Sequence, residues 1–96
     1  MVLEASIEKF LDTEVKSRGG FTVKLNPTNN KGIPDRLVVL PDRIFFAELK
    51  RPRGGVLARL QAWWMARISK LGHEVVKLKT REEVTTYLDS GGPPLY

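Results

Sequence analysis

Two short apolar runs, Leu37 to Leu40 and Ile44 to Lys50, flank the tight-turn sequence Pro41-Asp42-Arg43, and this pairing constrains the chain more than any other stretch. Runs of that length around a turn read as a β-hairpin. The open end of the hairpin is polar: Gly32-Ile33-Pro34-Asp35-Arg36 leads into its first strand and Glu48-Leu49-Lys50 ends its second. Side chains alternate along a strand, so Phe46, Glu48 and Lys50 share one face and Phe45, Ala47 and Leu49 the other. Asp35 opens the partner strand, within reach of Glu48 and Lys50. Ionisable groups at the ends of apolar strands contribute nothing to a core.

The rest of the chain surrounds this hairpin with helices. Leu3, Ile7, Phe10, Leu11 and Val15 recur at helical spacing until Gly19-Gly20 stops them, and Phe21 to Leu25 follows as a strand. Asn26 to Pro34 is a loop, and Pro52 to Gly55 a second irregular segment. Leu57, Leu60, Trp64, Ile68 and Leu71 fall on one helix face, ended by Gly72. His73 to Lys79 reads as a strand, and Arg81 to Leu88 as a short helix on which Thr80 and Glu83 form a capping box. The order αβββαβα, without repeats or a linker, predicts an α/β fold in one domain spanning 1–96, a mixed central sheet flanked by helices.

Composition narrows the chemistry. The chain has 96 residues, 42% of them apolar, enough for one core. It has no cysteine and one histidine, His73, which excludes zinc fingers, thiol catalysis, disulfide scaffolds and two-histidine mechanisms. Catalysis is left to carboxylates, lysines, hydroxyls and a hard cation. The net charge of +5 favours an anionic partner. Nucleic acid is the better fit, since no apolar run approaches the roughly 18 residues of a membrane-spanning helix. A cytoplasmic location is expected, and the lack of cysteine agrees with it.

Asp35 and Glu48 are therefore candidates to hold one divalent cation, which would relieve the repulsion between them, with the Leu49 carbonyl as a further oxygen ligand. Lys50 is placed to orient a water or neutralise charge on a phosphoryl group, as phosphodiester hydrolysis requires.

These residues resemble the PD-(D/E)XK nuclease superfamily, and more closely its VRR-NUC family. The resemblance covers nearly the whole chain and rests on Glu4, Gly32-Ile33-Pro34-Asp35-Arg36, Glu48-Leu49-Lys50, Gln61 and Gly72-His73-Glu74-Val75, in that order. It implies a restriction-endonuclease-like core, magnesium or manganese bound by Asp35 and Glu48, and water activation assisted by Lys50. Glu4 has support of its own, because at about 100° per residue it projects between Leu11 and Val15, inside the apolar sector of its helix, while Glu8 lies at the margin as the alternative. The plain reading of Glu4 is that it complements the positive helix N-terminus. Gln61 sits about 60° off the centre of its helix's apolar face and could hydrogen-bond the water or a metal ligand.

The opposite face of that helix carries Arg59, Trp63, Arg67 and Lys70 as a basic stripe around an aromatic, suited to phosphate contact and base stacking or to a subunit interface. Lys31, Arg36, Arg51 and Arg53 flank the candidate site and would guide a DNA backbone toward it. Small single-domain members of the family resemble Holliday-junction resolvases, so the resemblance implies a metal-dependent DNA endonuclease acting on four-way (Holliday) junctions, and a homodimer is expected because a symmetric junction needs two cuts. A nuclease of flaps, ends or linear duplex within a larger assembly is the first alternative. A DNA-binding module without turnover is the second.

Overall fold

The computed structural model describes residues 4–25, 30–49 and 55–90, and only the backbone at 4–6 and 55–57. The elements are α1 (Glu4–Ser17), β1 (Phe21–Lys24), β2 (Arg36–Val39), β3 (Ile44–Glu48), α2 (Gly55–Lys70), β4 (Val75–Lys77) and α3 (Arg81–Ser90), in the order expected from the sequence. The four strands form one sheet in the order β1-β2-β3-β4. The pairs β1–β2 and β2–β3 are antiparallel, and β3–β4 is parallel. A parallel neighbour needs a crossover, and α2 supplies it. Capping of α3 follows the sequence closely: Glu83 N–H donates to Thr80 Oγ1 at 3.0 Å, while Glu83 Oε1 accepts from the backbone of Lys79 at 2.7 Å and Thr80 at 3.3 Å.

Alternation divides the sheet into two faces with different contents. On one face, Val38, Leu40, Phe45, Ala47, Leu49, Val76 and Leu78 pack with Ile7, Leu11 and Val15 of α1 and Val84, Tyr87 and Leu88 of α3 into the main core. The other face is ordered in cross-strand rows by the register. Phe21, Val39 and Ile44 form one row, and Val23, Leu37, Phe46 and Val75 the next. Helix α2 covers the β4 side of this face, where Met65 and Val75 are fully buried. Toward β1 the face is open, and Phe21, Val23 and Ile44 are exposed.

Polar contacts fasten the two ends of the main core. Arg18 Nη2 meets Asp89 at 2.7 Å and its Nη1 meets Glu14 at 2.9 Å, joining the C-terminal ends of α1 and α3. At the end of the sheet away from Glu48, Arg43 stacks on Phe45 and Tyr87, donates to the Tyr87 carbonyl at 2.7 Å and lies 3.7 Å from Glu74. The Tyr87 hydroxyl donates to the same Glu74. Glu74 thus serves the fold, as does the exposed turn at His73, whose N–H donates to Ile68 O at 3.2 Å.

The loop that delivers Asp35 is fitted against α2. Trp64 Nε1 donates to the Lys31 carbonyl at 3.0 Å. Gly32 has a φ of 89°, and a Cβ added there would lie 2.7 Å from Leu60 and 2.8 Å from the backbone nitrogen of Gln61. Gly72 has a φ of 90° with nothing within 4 Å of an added Cβ, so the two glycines separate conformational strain from steric approach. Gly72→Ala is expected to cost the left-handed term alone, about 1–2 kcal/mol. Gly32→Ala adds a collision with the helix backbone and is expected to lower Tm by more than about 15 °C, against about 5–10 °C for Gly72→Ala. Thermal denaturation of the two variants tests this, and equal losses would mean that the loop does not depend on its close approach to α2.

Candidate metal and nuclease site

Asp35 and Glu48 meet at one end of the sheet because the hairpin register brings them there. Arg36 pairs with Ala47, so one step further along the same antiparallel register sets Asp35 opposite Glu48. The backbone holds Asp35 from several sides. Its side-chain Oδ2 accepts the Leu49 N–H at 2.7 Å, and its carbonyl accepts the Leu25 N–H at 2.9 Å. The Glu48 carboxyl in turn takes the Asp35 backbone N–H and lies within hydrogen-bonding reach of the Asp35 side chain.

The electrostatic consequence falls on Glu48, which is 7% exposed. Burial first, then the charge of Asp35 and the hydrogen bond between the two carboxyls, push its pKa up to about 9. The Asp35 N–H and the charge of Lys77 pull the other way and lose. Glu48 Oε1 is buried and has no hydrogen-bond partner among the described residues. An unsatisfied oxygen on a buried acid that touches a second acid is the arrangement a hard cation completes. Among the described residues no group of three or more His, Cys, Asp or Glu could hold a metal. Two carboxylates with backbone and water oxygens still suit magnesium, which keeps several waters and uses few protein ligands. The donor set therefore fits the cation implied by the sequence.

The other predicted site residues divide into three groups. Gln61 is 5% exposed and lies on α2 where the loop at Gly32 packs against the helix, so it is buried beside the segment that carries Asp35. Leu49 is buried and its N–H is committed to Asp35. Lys50, Arg51 and Arg53 lie outside the described residues, as does the side chain of Glu4. Glu8, the alternative to Glu4, has its Oε1 3.5 Å from Arg36 Nη1.

Arg36 requires a correction. Expected among the cations guiding a DNA backbone, it is 6% exposed and turned to the α1 face of the sheet. There it meets Glu8, and its Nε lies 3.4 Å from Asp12 Oδ1, which also accepts the Thr22 hydroxyl at 2.6 Å. Adjacent residues in a strand point to opposite faces, so with Asp35 on the α2 face Arg36 cannot share it. Lys31 and Arg59 are exposed as expected. Trp63 is half exposed, with the Arg67 guanidinium 5.0 Å from its ring centre. Arg67 and Lys70 also lie in the last turn of α2, where cations complement the helix C-terminus.

One position escaped the sequence reading. Lys77 pairs with Glu48 in the parallel β3–β4 register, so Asp35, Glu48 and Lys77 form a row across three strands on the α2 face. Alternation from the apolar Val75 placed Lys77 on a defined face of its strand, but nothing in the sequence fixed the register of β4 against β3.

Comparison with known proteins bears on the family and the fold. No family model matches the chain. The chain is 40% identical over 83 residues to a protein of Acyrthosiphon pisum secondary endosymbiont phage 1 described as "Putative nuclease p44", covering 85% of this chain and 88% of the relative. A solved structure described as a VRR_NUC domain superimposes with a TM-score of 0.78 at 26% identity, covering 91% of this chain and 95% of that one. Sequence kinship over most of both chains and a shared fold lead to one conclusion: the chain belongs to the VRR-NUC family of nucleases.

Proposed function

We propose that the protein is a divalent-metal-dependent DNA endonuclease, with magnesium or manganese held by Asp35 and Glu48. The observation that carries this reading is the contact between the two carboxyls together with the unsatisfied, buried Glu48 Oε1. When bound, the cation supplies positive charge against the phosphoryl oxygens and lowers the pKa of a water molecule. The Leu49 carbonyl is proposed as an additional ligand, and Glu4 as an acid reaching the site from the start of α1. Lys50 orients the attacking water or offsets charge on the phosphate, and Gln61 positions the water or a ligand by hydrogen bonding.

The substrate is proposed to lie along exposed cations. Lys31 and Arg59, with Arg51 and Arg53 beyond the described residues, contact phosphates, and Trp63 stacks on a base. We propose a four-way junction as the preferred substrate and a homodimer as the active form, because paired cuts in a symmetric branch need two sites and the described residues bring together one such carboxylate pair per chain. The exposed Phe21, Val23 and Ile44 on the open part of the sheet add apolar area to Trp63 for such an interface. The protein is placed in the cytoplasm on this reading, where its DNA substrate lies.

Cleavage of labelled four-way junctions, flaps, single strands and linear duplex, with magnesium, manganese or a chelator, tests the reaction. Asp35→Ala and Lys50→Ala are each expected to lower the cleavage rate by at least about 100-fold, and cutting that survives both substitutions would remove the site from these residues. Paired symmetric nicks confined to junctions, from a protein whose native mass is that of two chains, are the expected pattern for resolution.

A second prediction uses the linkage between charge and stability. The folded pKa of Glu48, about 9, exceeds the ordinary 4.5, so ionising this group costs stability progressively as pH rises through that window. Glu48→Gln removes the cost. In chelator at pH 8 the variant is expected to melt about 5 °C or more above the unsubstituted protein, with no gain at pH 4. Manganese is expected to raise the Tm of the unsubstituted protein at pH 8 and to leave Glu48→Gln unmoved. An equal manganese shift in both proteins would place the cation elsewhere.

A further inference from the structure

We propose that Lys77 is a substrate-contacting residue of this nuclease, its ammonium binding a phosphate of the DNA beside the Asp35–Glu48 pair. The inference rests on the nuclease reading and extends it to a strand for which the sequence suggested no chemistry.

Three observations carry it. The register sets Lys77 beside Glu48 on the neighbouring strand and the same face, about 4.8 Å away at the backbone. Lys77 is exposed, whereas Glu48 beside it is buried, so the ammonium stands at the solvent side of the carboxylates. Glu48 feels its charge, yet among the described residues Lys77 forms no ion pair within 4.0 Å and no hydrogen bond. The cation is close enough to act on a phosphate at the metal carboxylates and is not consumed by them.

The competing account is that β4, at the edge of the sheet, carries a lysine to discourage pairing with other chains. That role is served by any exposed position on the strand and does not require the row shared with Asp35 and Glu48. A polyanion brought against two carboxylates needs positive charge on more than one side. Lys50 follows Glu48 by two residues in the sequence, and Lys77 flanks Glu48 from the side opposite Asp35.

Phosphate contact and structural support for the carboxylates have opposite signatures. Removing a cation that touches substrate slows cleavage and weakens DNA binding, but it also removes repulsion toward the metal. In the full chain, Lys77→Gln is expected to keep the Tm of the unsubstituted protein and a manganese-induced Tm shift at least as large. Its single-turnover cleavage of a labelled junction is expected to fall about 10–100-fold. The salt dependence of DNA binding in chelator, as the slope of log K against log salt, should drop by about 1. Lys77→Arg is expected to recover most of the rate and the slope. Unchanged cleavage and slope in Lys77→Gln, with the unsubstituted protein cutting, would overturn the role of Lys77 and leave the nuclease reading standing. Loss of the manganese shift together with cleavage would overturn it in favour of support for the carboxylates. Failure of the unsubstituted protein to cut any substrate with either metal would overturn the nuclease reading, and the proposal with it.

Discussion

Two carboxyls held in contact at the end of a sheet resist full ionisation, and in this chain neither can move away. Asp35 accepts the Leu49 N–H through its side chain and the Leu25 N–H through its carbonyl, and gives its own N–H to Glu48. It therefore joins the segments that continue β1, β2 and β3. Separating the acids would break ladder-like bonds on three strands, each worth about 1 kcal/mol net and more when a buried partner is left unmade. The repulsion is consequently a property of the fold, and it is relieved by a proton on Glu48 or by a cation. At neutral pH the raised pKa of Glu48 makes these two competitors for the same place.

The surroundings of the pair are fitted to hold it rather than to soften it. Gly32 lets the incoming loop lie directly on the backbone of α2, and Trp64 fastens that loop through the Lys31 carbonyl. Trp64 thus does more than its place in an apolar stripe indicates. On the far face, Arg36 locks the start of β2 to Glu8 and Asp12 one helical turn apart on α1. The acid proposed to bind metal, Asp35, and the base that anchors its strand, Arg36, are neighbours in sequence.

Much of this was legible in the chain. The seven elements and their order follow from apolar periodicity and from glycine, proline and threonine signals, and the capping box at Thr80 and Glu83 is present as read. Strand ends differ by a residue or two because the sheet stops where pairing stops, while the apolar pattern runs on. The Asp35–Glu48 contact was legible because a hairpin with a short turn fixes its own register. Arg36 was misplaced because its charge was weighed and its parity was not: alternation alone puts it opposite Asp35. Lys77 was missed for a different reason. A parallel pair joined through a 16-residue helix has no turn to set its register, so which β4 residue reaches Glu48 is decided by packing of α2.

The alternation that turns Arg36 away from Asp35 also explains how so small a domain accommodates both a core and a site. The main core is confined to the face that α1 and α3 cover, where it includes Val38 of β2, Phe45 and Ala47 of β3 and Val76 of β4. The intervening residues lie on the α2 face, which passes from exposed apolar rows at Phe21 and Ile44 to the charged row of Asp35, Glu48 and Lys77. A substitution on the first face is felt as lost burial, at about 25 cal/mol per Å² of apolar surface. A substitution at the charged end of the second removes little apolar contact and acts through charge. Fold and chemistry are thereby separated by one step along the backbone: Arg36 meets the acids of α1 on the first face, while Asp35 meets Glu48 on the second.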